Sequence, residues 1–120
     1  MKKKRVYISG PMSCLERKEY TRRFGIAEGI LKKHGYDTIN PARVWTSRWP
    51  WLYKIIGYKM TLLYDLWLLL TKADMICKLP GYEASRGSCI EWTVGSYFYK
   101  NGFPLKIEAE IRQAINNSKP

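Results

Sequence analysis

The first group of residues able to do chemistry lies in residues 79–92, which read LPGYEASRGSCIEW. Glu91 falls near the predicted start of a helix, where unpaired backbone amides and the helix dipole favour an ionised carboxylate, as a nucleophile requires. The same residue also fits a capping box, in which its carboxylate accepts a hydrogen bond from the backbone amide of Ser88. Glu83 lies in the preceding loop, where we expect it to be solvated. Glu91 is therefore both a candidate nucleophile and a candidate capping residue.

Asp65 is a second carboxylate with two interpretations. It interrupts the apolar stretch from Trp51 to Leu70, and a carboxylate on a largely buried helix costs free energy unless it is paired or hydrated. On the polar stripe of that helix it is an ordinary residue. Facing the strand ends, it would have a raised pKa and would suit a proton donor. Asp74 opens a predicted strand at the opposite end, where capping a helix or meeting a basic neighbour is the simpler account.

The loop after the first predicted strand offers hydroxyl groups and amides to an anion. Ser9, Gly10 and Ser13 can present two hydroxyl groups and backbone N–H groups at the start of a helix. The sequence SGP lacks the glycine spacing of dinucleotide sites and the Gly-Lys-Ser/Thr of a P-loop. From these residues alone, a simple tight turn is the favoured interpretation.

The sequence offers no basis for a metal or cofactor site. Its single histidine, His34, stands next to Gly35 and fits a solvated partner of a helix C-terminus. The three cysteines, Cys14, Cys77 and Cys89, lack metal-ligand spacing and suggest no disulfide framework. We therefore expect no metal, no cofactor and a reducing cytoplasmic location.

The elements that would position these residues alternate between strands and helices. Periodicity and turn residues predict strands at 5–9, 36–40, 73–79 and 103–108, and helices at 15–34, 51–72, 88–100 and 109–120. This order implies a single α/β domain over residues 1–120, with a Rossmann-like parallel sheet of about four to five strands and helices on both faces. Ligands bind beyond the carboxyl ends of such strands, which selects the loops after the first three.

The charge of the chain favours anionic partners. Lysine and arginine number 21 against 10 acidic residues, for a net charge of +11, and this surplus suits phosphates, nucleic acid or acidic lipid. Residues 51–70 have the length of a membrane span, but Lys54, Lys59 and Asp65 within them favour a buried amphipathic helix. A membrane-surface helix is the weaker alternative. The start of the chain lacks the apolar core of a signal peptide, so we expect neither export nor a membrane partner.

Four segments taken together resemble the nucleoside 2-deoxyribosyltransferase superfamily. They span Val6 to Gly95 and read VYISGPM, NPARV, YDLWLLLTKADMI and SRGSCIEW in chain order. The closest likeness is to the small bacterial and phage proteins grouped as a domain of unknown function within that superfamily, and to its 5′-monophosphate N-glycosidases. The aromatic and basic segment from Trp45 to Lys59 matches none of the family's ligand contacts.

The resemblance implies cleavage of an N-glycosidic bond through a covalent glycosyl-enzyme intermediate. The family's Ser-x-Gly-x-x-x-Glu pattern falls on Ser85, Gly87 and Glu91, which makes Glu91 the implied nucleophile. By the same resemblance, Tyr7 would hydrogen-bond to that carboxylate and orient it, and Asp65 would protonate the departing base.

Ser85 moves the expected substrate from nucleosides toward nucleotides. The family's base-exchanging transferases usually carry aspartate at this position, whereas its 5′-monophosphate N-glycosidases carry serine. The resemblance then implies a phosphate cradle of Ser9, Gly10, Ser85 and Gly87, completed by Arg86 or another cation. The substrate would be a (2′-deoxy)nucleoside 5′-monophosphate or a related nucleotide. The family also implies a homodimer whose protomers complete each other's sites.

Two other functions stay open at the level of sequence. A pocket of this kind can bind and sense a nucleotide without cleaving it. A nucleic-acid binder would use the basic surface and stack bases on Trp45, Trp49, Trp51 and Tyr53, although core or interface packing is the commoner use of such residues. Cleavage ranks first, sensing second and nucleic-acid binding third.

Overall fold

The structure is a computed structural model that describes residues 3–10, 17–41, 62–84, 86–98 and 102–118. Three strands are present in these ranges, β1 (Arg5–Ser9), β2 (Asp37–Ile39) and β3 (Met75–Lys78). The helices are α1 (Arg17–Lys33), α2 (described over residues 62–72), α3 (Arg86–Tyr97) and α4 (Leu105–Asn117), with a short 3-10 turn at Tyr82–Ala84.

The strands form one parallel sheet in the order β2-β1-β3. Tyr7 of β1 stands opposite Ile39 of β2 and Ile76 of β3, and Ser9 stands opposite Lys78. The predicted parallel α/β architecture is confirmed, while the described residues contain three strands where about four to five were expected. Because β2 and β3 lie on opposite sides of β1, the strand order reverses at β1, and parallel sheets bind ligands at such a switch point.

Helices cover both faces of the sheet, as predicted. Successive strand side chains point to opposite faces, so Val6, Ile8, Met75 and Cys77 share one face, where they pack with residues of α1 and α4. Tyr7 and Ile76 point to the other face, where they pack with Leu69 of α2 and Trp92 of α3. Tyr7 therefore lies under the two helices that carry Asp65 and Glu91.

The predicted fourth strand at residues 103–108 is wrong, because α4 begins at Leu105. Phe103, Leu105 and Ile107 occupy every second position and imitate a strand, but Leu105 is 75% exposed. The apolar spacing continues as Ile107, Ile111 and Ile115, which is the four-residue step of a helical stripe. That stripe packs into the core beneath α1.

The end of α1 follows the sequence prediction closely. Gly35 adopts a φ of 88°, a conformation that favours glycine. The Gly35 amide donates to the Lys32 carbonyl at 3.1 Å and the Tyr36 amide to the Leu31 carbonyl at 3.0 Å. This is the Schellman pattern, which satisfies the last helical carbonyls and turns the chain into β2.

The predicted helix at residues 51–72 is helical over 62–72. Residues 42–61 lie outside the described residues, and they include the whole segment from Trp45 to Lys59 with Trp45, Trp49, Trp51 and Tyr53. No helix in the described part of the chain is long and apolar enough to cross a bilayer.

Candidate functional site

The candidate site lies at the carboxyl end of β1, beneath α2 and α3. Tyr7 and Ser9 are two residues apart on β1, so their side chains point to the same face of the sheet. Glu91 reaches this face from α3 and Asp65 reaches it from α2. Their exposed fractions are 0% for Tyr7, 1% for Ser9, 6% for Glu91 and 7% for Asp65. Four buried polar side chains therefore lie on this face of the sheet.

Both oxygens of the Glu91 carboxylate accept hydrogen bonds from β1. The Tyr7 hydroxyl donates to Oε2, and the Ser9 hydroxyl donates to Oε1 at 2.8 Å. These two donors hold the carboxylate in one orientation, because hydroxyl donors on both oxygens oppose rotation about its terminal bond. Tyr7 thus has the contact that the resemblance implies, whereas the Ser9 hydroxyl is engaged with Glu91.

Burial and Asp65 set the protonation of this cluster. Burial, followed by the charge of Asp65, raises the pKa of Glu91 to about 8, although the hydrogen bonds from Tyr7 and Ser9 act in the opposite direction. Burial and the charges of Glu91 and Asp65 also raise the pKa of Tyr7 well above its usual value. Tyr7 therefore stays a neutral donor at physiological pH, and a proton is readily retained within the cluster.

The capping-box interpretation of Glu91 is wrong. Helix α3 begins at Arg86, so Ser88 lies inside the first turn and Glu91 is in the second. The Glu91 carboxylate bonds to Tyr7 and Ser9 across the sheet. The expectation that a helix start keeps Glu91 ionised also fails, since its pKa is raised.

The structure describes three of the four residues of the expected phosphate cradle, Ser9, Gly10 and Gly87. An ideal Cβ at Gly10 would stand 2.9 Å from the Leu79 Cβ, so the close approach of the two strand ends requires a residue without a side chain. Gly87 is buried in the first turn of α3. Ser85 lies outside the described residues. Arg86 is exposed at the start of α3.

A lysine and two aromatic rings form a further cluster that the sequence analysis did not single out. The Lys78 ammonium stands 4.1 Å from the ring centroid of Trp92 and 4.9 Å from that of Tyr82. Lys78 ends β3 opposite Ser9, and Trp92 follows Glu91 in α3. The signal in the sequence was a cation at the carboxyl end of a strand, where parallel sheets bind ligands.

Other candidates lie away from this cluster. Asp74 is at the amino end of the sheet, as predicted, and its carboxylate accepts a hydrogen bond at 2.9 Å from the backbone amide of a basic residue, Arg5. Glu83 is exposed, as expected. The exposed His34 Nε2 lies 2.9 Å from Glu110 Oε1. Among the described residues, no group of three His, Cys, Asp or Glu side chains is arranged to hold a metal ion.

The comparison with family models assigns the chain to a protein family. A family model described as a domain of unknown function (DUF4406) matches residues 4–101. The chain belongs to this family. The DUF4406 match includes all three strands, Tyr7, Asp65 and Glu91, and it ends before α4, although α4 supplies core residues. No curated protein and no solved structure matches the chain.

Proposed function

We propose that this DUF4406 protein cleaves the N-glycosidic bond of a (2′-deoxy)nucleoside 5′-monophosphate or a related nucleotide. The observation that carries the proposal is the Glu91 carboxylate, buried at the carboxyl end of β1 and held by the hydroxyls of Tyr7 and Ser9 in the electrostatic field of Asp65. The resemblance to nucleoside 2-deoxyribosyltransferases supplies the reaction class.

The proposed reaction has two steps. A Glu91 carboxylate oxygen attacks the anomeric carbon, the bond from that carbon to the base nitrogen breaks, and the Asp65 carboxyl gives its proton to the departing base. Water then attacks the same carbon, the ester bond to Glu91 breaks, and the water proton returns to Asp65. The net products are free base and sugar phosphate, by the double displacement that retaining glycosidases use.

The cluster is suited to hold one proton between its two carboxyl groups. Two buried carboxylates that interact strongly do not both ionise readily, so one proton is retained. The Tyr7 and Ser9 hydroxyls both donate to Glu91 and so favour the ionised form there. Because Glu91 retains a proton at rest, the reaction requires that proton to move to Asp65, and the two hydroxyl donors on Glu91 favour this move.

The phosphate end of the substrate would lie in the loops that follow β1 and β3. The resemblance assigns it to Ser9, Gly10, Ser85 and Gly87, and the net charge of +11 favours an anionic substrate over an uncharged nucleoside. Because the Ser9 hydroxyl has one proton and donates it to Glu91, it could donate to phosphate only by turning away from that carboxylate.

The test is to incubate the protein with a panel of nucleotides and nucleosides and to measure released base and the intact protein mass. We expect base release from a nucleoside 5′-monophosphate and a glycosyl adduct that maps to Glu91. Glu91→Gln should lower turnover by at least about a thousandfold, as removal of a covalent nucleophile does. Glu83→Gln removes an exposed carboxylate from the neighbouring loop and should keep wild-type turnover. Base release that survives in Glu91→Gln would refute the proposal.

A sensing module that binds the nucleotide without cleaving it is the second candidate. The raised pKa of Glu91 favours it, because a protonated carboxyl group is not a nucleophile. Such a module would gain thermal stability with the nucleotide present, and the nucleotide would be recovered intact by chromatography. A cytoplasmic location and a homodimer stay predictions under both candidates.

A further inference from the structure

Lys78 is the charged residue of this region that the proposed reaction steps do not use. It ends β3, so its side chain points to the same face as Ile76, toward α2 and α3. Its register partner on the central strand is Ser9, whose hydroxyl donates to Glu91. The lysine therefore stands at the edge of the cluster built around that carboxylate.

Two aromatic rings fix the position of the Lys78 ammonium. Trp92 comes from α3 and Tyr82 from the 3-10 turn, with ring centroids 4.1 Å and 4.9 Å from Nζ. The turn that brings Tyr82 into place has Pro80 followed by Gly81 at a φ of 86°, and the Tyr82 amide donates to the Leu79 carbonyl at 3.2 Å. Contacts of this kind attract a cation and restrict a flexible lysine side chain.

The ammonium group has donors to offer a ligand. No ion pair between Lys78 and a carboxylate is present within the described ranges. The contact between Lys78 and Glu108 is made by the backbone amide of Lys78, which donates to the Glu108 carboxylate at 3.3 Å, and not by the ammonium group. Ring faces attract the positive charge, but an ammonium carries three N–H donors, and an anion is the partner that would use them.

We propose that Lys78, held by Tyr82 and Trp92, is the cation that binds the phosphate group of the substrate. The proposal rests on the proposed function for the identity of the substrate and adds the residue that selects for its phosphate. Phosphate oxygens accept strong charge-assisted hydrogen bonds from such a donor. The lysine next to Ser9 would then discriminate nucleotides from nucleosides, while Glu91 and Asp65 act on the glycosidic bond.

The first measurement is binding by calorimetry at low ionic strength. The probes are each common 2′-deoxynucleoside 5′-monophosphate and its matching nucleoside, and the variants are Lys78→Met and Lys72→Met. Lys72 is a matched control, because its ammonium also lies over a ring, that of Trp67 at 5.9 Å, but on the exposed part of α2. We expect Lys78→Met to bind the monophosphate on the order of 10- to 100-fold more weakly, the loss of one charged hydrogen bond. Its nucleoside affinity and the behaviour of Lys72→Met should be unchanged.

The second measurement uses inorganic phosphate and the NMR signal of the Lys78 side-chain methylene next to the ammonium. The two rings should displace this signal upfield, and its absence in Lys78→Met assigns it. Saturable movement of the signal with phosphate supports the proposal even if no nucleotide is cleaved, so it separates this inference from the proposed function.

Three results would overturn the proposal. The first is a Lys78 signal that does not respond to phosphate. The second is wild-type affinity of Lys78→Met for the monophosphate. The third is an equal loss of nucleotide and nucleoside binding in Lys78→Met. In the last case the lysine would be only a structural residue. Cleavage of nucleoside 5′-monophosphates at equal rates by wild type and Lys78→Met, at substrate concentrations well below saturation, would leave the proposed chemistry standing and remove only the role of Lys78.

Discussion

At the scale of single residues, Glu91 shows how much a buried environment alters a carboxyl group. Its pKa is raised to about 8 by burial and by Asp65, against the pull of two hydroxyl donors. The sequence singled out Glu91 as a candidate nucleophile. Its protonation depends on which residues cover it, and that information arises only when β1, α2 and α3 come together.

The raised pKa of Glu91 predicts a pH-dependent cost in folding stability. Glu91 ionises near its ordinary pKa in the unfolded chain but only near 8 in the folded chain. The stability that protonated Glu91 contributes is therefore fully present below the unfolded pKa and is lost as pH rises through about 8. Between about pH 5 and about pH 9, Glu91→Gln should gain roughly 2 to 4 kcal/mol over wild type, since one pKa unit is worth about 1.4 kcal/mol.

Urea unfolding of wild type and Glu91→Gln across this pH range measures the difference. Glu83→Gln, which removes an exposed carboxylate, is the matched control. A stability difference between wild type and Glu91→Gln that stays constant with pH would contradict the buried, proton-retaining state of Glu91.

At the scale of elements, the close approach of β1 and β3 at their carboxyl ends shapes the site. The Leu79 amide donates to the Ser9 carbonyl at 2.8 Å, which brings Leu79 against Gly10. The space beside Gly10 is therefore filled by Leu79, and position 10 requires glycine for a reason of packing. This requirement exists independently of any contact with phosphate.

Gly10→Ala should destabilise the protein by roughly 1 to 3 kcal/mol, the usual cost of overpacking. The new Cβ would stand 2.9 Å from the Leu79 Cβ, which cannot move without its backbone. Gly25→Ala is the matched control: nothing lies within 4 Å of an ideal Cβ there, and alanine in a helix interior should add about 0.5 to 1 kcal/mol. Thermal or urea unfolding gives both values, and equal stability of the two variants would contradict the packing argument.

The elements also show where sequence patterns are sufficient and where they fail. β1 was predicted at its exact bounds because an apolar run ends in Gly10 and a proline. The prediction of a strand at residues 103–108 was wrong because three alternating apolar residues fit a strand. Only Ile111 and Ile115, further along the chain, reveal a helical stripe. The Lys78 cluster was missed because its rings come from a turn and a helix whose approach no spacing in the sequence encodes.

At the scale of the whole molecule, α2 presents apolar side chains on its outer side as well as toward the core. Leu63 is 58% exposed and Trp67 is 51% exposed, with Tyr64 beside Trp67 at a ring separation of 5.9 Å. The same helix carries Asp65 on its buried side. A second protomer on this surface, as the resemblance implies, would therefore rest on a helix of the candidate site.

Sedimentation velocity tests the predicted homodimer. Wild type should sediment at twice the chain mass of 14.1 kDa, and Trp67→Glu should sediment as a monomer, because a charge would be buried in the interface. Leu105→Glu changes an apolar residue that is 75% exposed on α4 and should stay dimeric. A monomeric wild type at micromolar concentration would remove the dimer from the proposal.

The hydrogen bonds on Glu91 join residues 82 and 84 positions apart. One stretch of chain, ending at residue 41, brings both hydroxyl donors, and the stretch from residue 62 onward brings both carboxylates and Lys78. Neither stretch alone contains both the reacting carboxyl groups and the two hydroxyls that hold Glu91 in place. If the chain were cut between them, any base release would have to come from reassembled fragments, so turnover itself would report fragment complementation without an attached reporter.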